Sequence, residues 1–124
     1  MIDHIGFEVS DLARSARFYD AVLYPLGARR LVQSEHVVAY GINAPQVWIV
    51  TRGRTPGPGY GHVALQASGK AAVDAAYAGG LANGGTDDGP PGLRVGGNRI
   101  YRGRHYAAYL RDPDGLRVEV VSRR

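Results

Sequence analysis

The chain has 124 residues, a formal net charge of +4 at pH 7 and no cysteine, so disulfides, thiolate metal sites and a cysteine nucleophile are excluded. Its length is typical of one domain, and its 44% hydrophobic and 21% charged residues are typical of a globular protein. The basic residues, all arginine except Lys70, are scattered, so we expect no nucleic-acid partner. No secretory signal or membrane-length apolar run is visible, and we expect a cytoplasmic protein.

The first predicted strand, DHIGFEV at 3–9, alternates between apolar and other residues. Successive side chains of a strand point to opposite faces, so one face is apolar and is expected to pack against a helix. That face carries Ile5, Phe7 and Val9. The opposite face carries His4, Gly6 and Glu8.

The next segment, SDLARSARFYDAVLYPLG at 10–27, has apolar residues at helical spacing. Ser10 or Asp11 can cap the start of this helix, and Pro25 is expected to end it near Tyr24. Three extended segments follow, at 30–33, 37–41 and 46–51. The stretch RGRTPGPGY at 52–60 is rich in proline and glycine and is predicted to be a linker.

The second half repeats the first. GHVALQA at 61–67 matches DHIGFEV with an offset of 58 residues, so that His62 corresponds to His4. Ser68 can cap a second helix, and strands are predicted near 93–95, 105–111 and 116–122. A Gly/Pro-rich loop contains Arg94, Arg99, Arg102 and Arg104. These arginines can line the mouth of a site for a small anion, or they can form a solvated surface.

This order predicts an α+β protein in which two βαβββ modules, 1–51 and 61–124, form a curved mixed sheet with a concave cleft. Alternation places Glu119 and Arg117 of the last strand on the face opposite the apolar residues. His4, His62 and Glu119 therefore share the cleft side, where two imidazoles and one carboxylate can bind a divalent metal ion. In the alternative interpretation, both histidines are surface residues and Glu119 pairs with an arginine.

The motifs DHIGFEVSDLARSARFYDAVLYPLG, GHVALQA and YAAYLRDPDGLRVEVV resemble the vicinal oxygen chelate superfamily, which includes glyoxalase I, bleomycin resistance proteins, extradiol dioxygenases and fosfomycin-modifying enzymes. The resemblance covers nearly the whole chain as a single domain. It implies paired βαβββ modules, the metal ligands His4, His62 and Glu119, and a bound Fe, Mn, Ni or Zn ion. It also implies a homodimer with shared clefts that bind a small molecule.

The resemblance leaves the reaction open among lyase, isomerase, ring-cleaving dioxygenase and transferase chemistry. Glyoxalase I has a fourth, acidic ligand on the last strand of its first module, and the corresponding QVWIVT contains no acid. Tyr109 and His105 are candidate catalytic residues, and Trp48, Arg117 and Tyr106 are candidate substrate contacts. The alternative function is a non-catalytic protein that sequesters a small molecule or antibiotic in a Trp48-lined cleft.

Overall fold

In the computed structural model, which describes residues 1–57, 59–95 and 104–124, the chain folds into two four-stranded sheets and two α-helices. The first module contains β1 (Ile5–Val9), α1 (Leu12–Leu23), a 3-10 turn (Tyr24–Leu26), β2 (Arg29–Gln33), β3 (Val37–Gly41) and β4 (Pro45–Thr51). The second contains β5 (His62–Gln66), α2 (Lys70–Ala82), β6 (Thr86–Val95), β7 (Arg104–Arg111) and β8 (Arg117–Ser122). The α+β class and the repeated βαβββ order are confirmed.

The two sheets have the same topology. The strand orders are β1-β4-β3-β2 and β5-β8-β7-β6, so the first and last strands of each module are neighbours. These neighbours, β1 with β4 and β5 with β8, run parallel, and the other pairs are antiparallel. The sequence repeat is therefore a repeat of strand pairing as well.

Both helices contribute to one hydrophobic core that spans the two modules. They approach each other closely at Gly79 and Gly80. A Cβ atom on Gly80 would lie 2.7 Å from Leu110 and 3.0 Å from Val22, which is closer than packed carbon atoms tolerate. The absence of a side chain at this position lets α1, α2 and β7 share one core.

A buried polar junction also joins the modules. The Tyr19 hydroxyl of α1 donates to Asp112 Oδ2 over 2.6 Å, and both side chains are almost fully buried. The other carboxylate oxygen, Oδ1, accepts the backbone N–H groups of Asp114 and Leu116. The Asp112-Pro113-Asp114-Gly115 turn is therefore anchored on the first helix as well as on its own backbone.

Some predicted boundaries differ from the observed ones. Asp11 caps α1 by accepting from Arg14 N, whereas Ser10 donates to Asp114 across the module boundary. Gly69 precedes α2 and no side chain caps that helix, so the prediction for Ser68 is wrong. Strand β6 is longer than predicted because its prolines lie on an edge strand, where they are tolerated, and its register shifts near Gly89.

Arg99 and Arg102 of the predicted arginine-rich loop lie outside the described residues. Within the described part of the chain, no helix is long and apolar enough to cross a membrane.

Candidate functional site

The helices cover one face of each sheet, and the opposite face is called the open face here. In the first sheet, the register pairs Gly6 with Trp48 and Glu8 with Val50 on the open face. In the second sheet, Glu119 pairs with Ala64 on one side and with Tyr109 on the other.

His62 and Glu119 lie together on the open face of the second sheet. The distance from His62 Nε2 to Glu119 Oε1 is 3.6 Å. The small side chain of Ala64, next to Glu119 in the register, does not fill the space above the sheet. His62 is exposed while Glu119 is buried, so a nitrogen and an oxygen donor converge at a position that is open on the histidine side.

His4 directly precedes β1 of the other sheet. Its Nδ1 atom is 2.6 Å from Asp3 Oδ1, and its ring centroid is 6.2 Å from that of Trp48. Within residues 1–57, 59–95 and 104–124, no three histidine or acidic side chains converge closely enough to hold a metal ion. The structure therefore brings two of the three predicted ligands together and leaves His4 apart in this single chain.

Trp48 occupies the position in the first sheet that Glu119 occupies in the second. Gly6 pairs with Trp48 in β4, and Ala64, 58 residues after Gly6, pairs with Glu119 in β8. The first sheet thus carries an indole ring at the register position where the second sheet carries a carboxylate. The nearby carboxylate of Glu8 is bound by Arg54 and Arg52, and the Arg54 hydrogen bond holds the pKa of Glu8 below its ordinary value.

Tyr109 lies beside Glu119 between arginine side chains. The Arg117 guanidinium stacks 4.2 Å above the Tyr109 ring, and the Arg94 guanidinium is 5.7 Å from it. Burial and the Glu119 carboxylate raise the pKa of Tyr109 above its ordinary value. The phenol therefore stays protonated at neutral pH and can donate a proton in a hydrogen bond.

Two predicted residues lie away from the His62–Glu119 pair. Tyr106 is on the helix-facing side of β7, where its hydroxyl donates to Asp74 of α2 over 2.6 Å, so the structure does not bring this predicted substrate contact to the open face. His105 shares the open face with Tyr109, but it lies four positions earlier along the strand, a distance of about 13 Å. The face of β7 could not be assigned from its sequence because Ala107 and Ala108 adjoin and give no alternation.

Asp88 and Arg111 lie beside Arg117 and were not identified from the sequence as site residues. Asp88 Oδ2 accepts from Arg117 Nε over 2.8 Å and lies 3.2 Å from Arg111 Nε. Asp88 precedes the segment Gly89-Pro90-Pro91-Gly92, which is typical of a loop rather than of the strand observed here. No signal in the sequence alone indicates that this carboxylate faces β8.

Solved structures of other proteins share this fold. A crystal structure of a glyoxalase/bleomycin resistance protein from Albidiferax ferrireducens T118 is 36% identical, with a TM-score of 0.85 and 97% coverage of both chains. A glyoxalase-related enzyme from Fulvimarina pelagi is 20% identical, with a TM-score of 0.74 and coverage of 98% of this chain and 87% of that one. Among curated proteins, none matches this sequence significantly.

A more distant structure contains a metal ion. It is a mutant of the fosfomycin resistance protein FosX from Listeria monocytogenes, complexed with Mn(II) and 1S,2S-dihydroxypropylphosphonic acid. It is 21% identical, with a TM-score of 0.67 and coverage of 97% of this chain and 87% of that one, and it shows similarity of fold. The sequence model that describes the Glyoxalase/Bleomycin resistance protein/Dioxygenase superfamily matches residues 1–120. This chain therefore belongs to that superfamily.

Proposed function

We propose that the protein is a divalent-metal-dependent enzyme acting on a small molecule with adjacent oxygen atoms. The observation that carries the proposal is the 3.6 Å approach of His62 Nε2 to Glu119 Oε1 on the open face. Two donors that each bind a metal ion at about 2.1 Å are separated by about 3.0–3.6 Å. The pair therefore fits two adjacent ligand positions, and imidazole with carboxylate suits Mn, Fe, Ni or Zn.

His4 supplies the third ligand from a second copy of the chain in this proposal. Among the described strands, β1 pairs only with β4 and β5 only with β8, so each sheet has an unpaired edge beside a histidine. Both edges line an apolar cavity of about 650 Å³ between the modules. Unpaired strand edges are templates for pairing with another chain. A homodimer that joins β1 to β5 of the partner subunit would bring His4 to His62 and Glu119.

The residues around the pair suggest how a substrate is handled. A bound divalent cation would polarise the substrate oxygens and stabilise negative charge on them. Tyr109 is protonated and adjacent to Glu119, so its phenol can orient that carboxylate or donate to a substrate oxygen. Trp48 lies beside His4 in each chain, so the partner's Trp48 would provide a flat apolar wall at the shared site. Because an indole stands where glyoxalase I has an acid, we do not propose glyoxalase I activity.

We expect the purified protein, loaded in turn with Mn²⁺, Fe²⁺, Ni²⁺ and Zn²⁺, to retain one of these ions near stoichiometrically. Mn²⁺ is the first to test because the FosX complex contains it. The His62→Ala variant should lose the ion because it removes one donor of the pair. His36→Ala removes an exposed histidine from the loop between β2 and β3 and should leave the metal content unchanged.

The metal content of each protein, measured by mass spectrometry after gel filtration, tests whether the His62–Glu119 pair binds a metal ion. Retention of no ion by the wild type, or full retention by His62→Ala, contradicts the proposal.

A second candidate is a metal-independent protein that sequesters an aromatic ligand. The position of Trp48 favours it, because the half-buried indole lies on the open face and its Nε1 has no hydrogen-bond partner among the described residues. Quenching of Trp48 fluorescence by a ligand in the presence of excess chelator would support this candidate. Ligand binding that requires the metal ion would exclude it.

A further inference from the structure

The cluster beside His62 and Glu119 has features that the metal ligands do not explain. Three guanidinium groups, from Arg94, Arg111 and Arg117, lie on the open face of the second sheet with the carboxylates of Asp88 and Glu119. If Glu119 binds a metal ion, Asp88 alone is left to compensate three positive charges. Such an excess of positive charge in a partly buried site favours an anionic ligand.

The position of Arg117 defines where that anion would lie. Arg117 is the register partner of His62 on β5 and precedes Glu119 by two residues on the same face of β8. Its side chain is therefore next to both residues of the pair. A ligand atom bound to the pair and a group bound to Arg117 would belong to the same small molecule.

The contacts of Arg117 fix its side chain and leave its terminal nitrogens available. Its Nε donates to Asp88, and its planar group stacks on Tyr109. Within the described part of the chain, neither terminal nitrogen donates a hydrogen bond. A guanidinium that is held by stacking and by Nε is already ordered, so it loses little entropy when its terminal N–H groups bind an oxyanion.

Asp88 is a single carboxylate shared by two arginine side chains, Arg117 and Arg111. The same oxygen, Oδ2, is 2.8 Å from Arg117 Nε and 3.2 Å from Arg111 Nε. One carboxylate thus compensates one of the two guanidinium charges, and the second charge is left for a ligand. Asp88 also competes electrostatically with an incoming anion.

We propose that this cluster is an anion subsite, and that the small molecule bound by the protein carries a carboxylate or phosphate group that binds Arg117 next to its metal-chelating oxygens. The inference rests on the proposed function for its account of the chelating oxygens. The anion subsite itself is formed by residues of the second module alone. Carboxylate and phosphate share the oxyanion chemistry that a guanidinium fork recognises.

The test uses the 124-residue chain. Inorganic phosphate and malonate are titrated into it separately, and binding is measured from the amide chemical shifts in NMR spectra. We expect Arg117→Gln to weaken binding of the preferred probe about tenfold or more, because a charged hydrogen-bond partner is lost. Asp88→Asn should strengthen binding, because it removes the competing negative charge. Opposite effects from two variants that break the same ion pair cannot arise from misfolding.

The matched control is Arg29→Gln. Arg29 also stacks on a tyrosine, 4.9 Å from the Tyr24 ring, but it lies in the first module. It should leave phosphate and malonate binding unchanged. The probe that the wild type binds more tightly indicates whether the ligand carries a phosphate or a carboxylate group. If Arg117→Gln binds phosphate and malonate with the same affinities as the wild type, the proposed anion subsite is wrong.

Mn²⁺ binding measured in the same samples separates this inference from the proposed function. We expect Arg117→Gln to bind Mn²⁺ at least as tightly as the wild type, because it removes a positive charge next to the pair. Arg117-dependent anion binding in a protein that binds no divalent metal would overturn the proposed enzyme and keep the subsite. Mn²⁺ binding without Arg117-dependent anion binding would overturn the anion subsite and keep the proposed enzyme.

Discussion

Replacing Glu119 by glutamine is expected to lower the affinity for the divalent metal ion by about 100-fold or more, since residues that only support a ligand cost 10–100-fold. Glutamine has nearly the same shape as glutamate and lacks its negative charge. Glu119 is 9% exposed, with Ala64 and Tyr109 on either side in the register. The substitution therefore changes the ligand with little change in packing.

Titration of Mn²⁺ by calorimetry measures this effect. Glu35→Gln is a suitable control because Glu35 is an exposed acid in the loop between β2 and β3. Its Mn²⁺ affinity should equal that of the wild type. If Glu119→Gln binds Mn²⁺ as tightly as the wild type, Glu119 is not a ligand and the proposed site is wrong.

Replacing Asp112 by alanine is expected to lower the free energy of unfolding by about 3 kcal/mol or more, because each buried polar group left without a partner costs about 1–3 kcal/mol. Asp112 is 5% exposed. Its carboxylate accepts from the Tyr19 hydroxyl and from the N–H groups of Asp114 and Leu116. The alanine variant leaves all three donors without this acceptor.

Urea denaturation followed by circular dichroism gives the comparison. Tyr19→Phe removes one of the three hydrogen bonds and should destabilise by about 1 kcal/mol. Asp114→Ala cuts the contact with Ser10 and Arg14 but keeps the Asp112 carboxylate, and it should cost less than Asp112→Ala. An Asp112→Ala protein as stable as Tyr19→Phe would show that the junction contributes little.

The same junction gives a pH dependence with a defined sign. Burial raises the pKa of Asp112 above its usual value of 3.8. Folding therefore favours the protonated carboxyl, and this contribution to stability is fully present below about pH 3.8 and lost as the pH rises through the raised pKa. Relative to Asp112→Asn, which does not titrate, the wild type should gain stability between pH 7 and pH 4. Paired urea titrations across this range test it, and a constant difference contradicts it.

Local sequence patterns predict the faces of several strands and the repeat of the two modules. The faces of β1, β5 and β8 follow from the alternation of large apolar residues with polar or small ones, which is a property of each strand alone and is interrupted in β8 at Val121. The 58-residue repeat links His4 to His62, and the structure shows that it extends to the strand register. These features need no knowledge of how the modules pack.

The remaining features depend on tertiary arrangement. Adjacent alanines at 107 and 108 leave the face of β7 unspecified, and a shift of one residue moves Tyr106 to the opposite face. Asp88 faces Arg111 and Arg117 only because the segment rich in proline and glycine forms an edge strand. The separation of His4 from Glu119 follows from the division of the strands into two sheets, and alternation within a strand does not determine it.

We propose that each metal site is shared between two copies of the chain. The most direct measurement is the metal content of a heterodimer that contains one His4→Ala chain and one His62→Ala chain, purified through two different tags without histidine. Such a dimer has one site with both lesions and one intact site. We predict no metal in either homodimeric variant and half of the wild-type content in the heterodimer. A heterodimer without metal, or a His4→Ala homodimer with full metal content, would contradict the shared site.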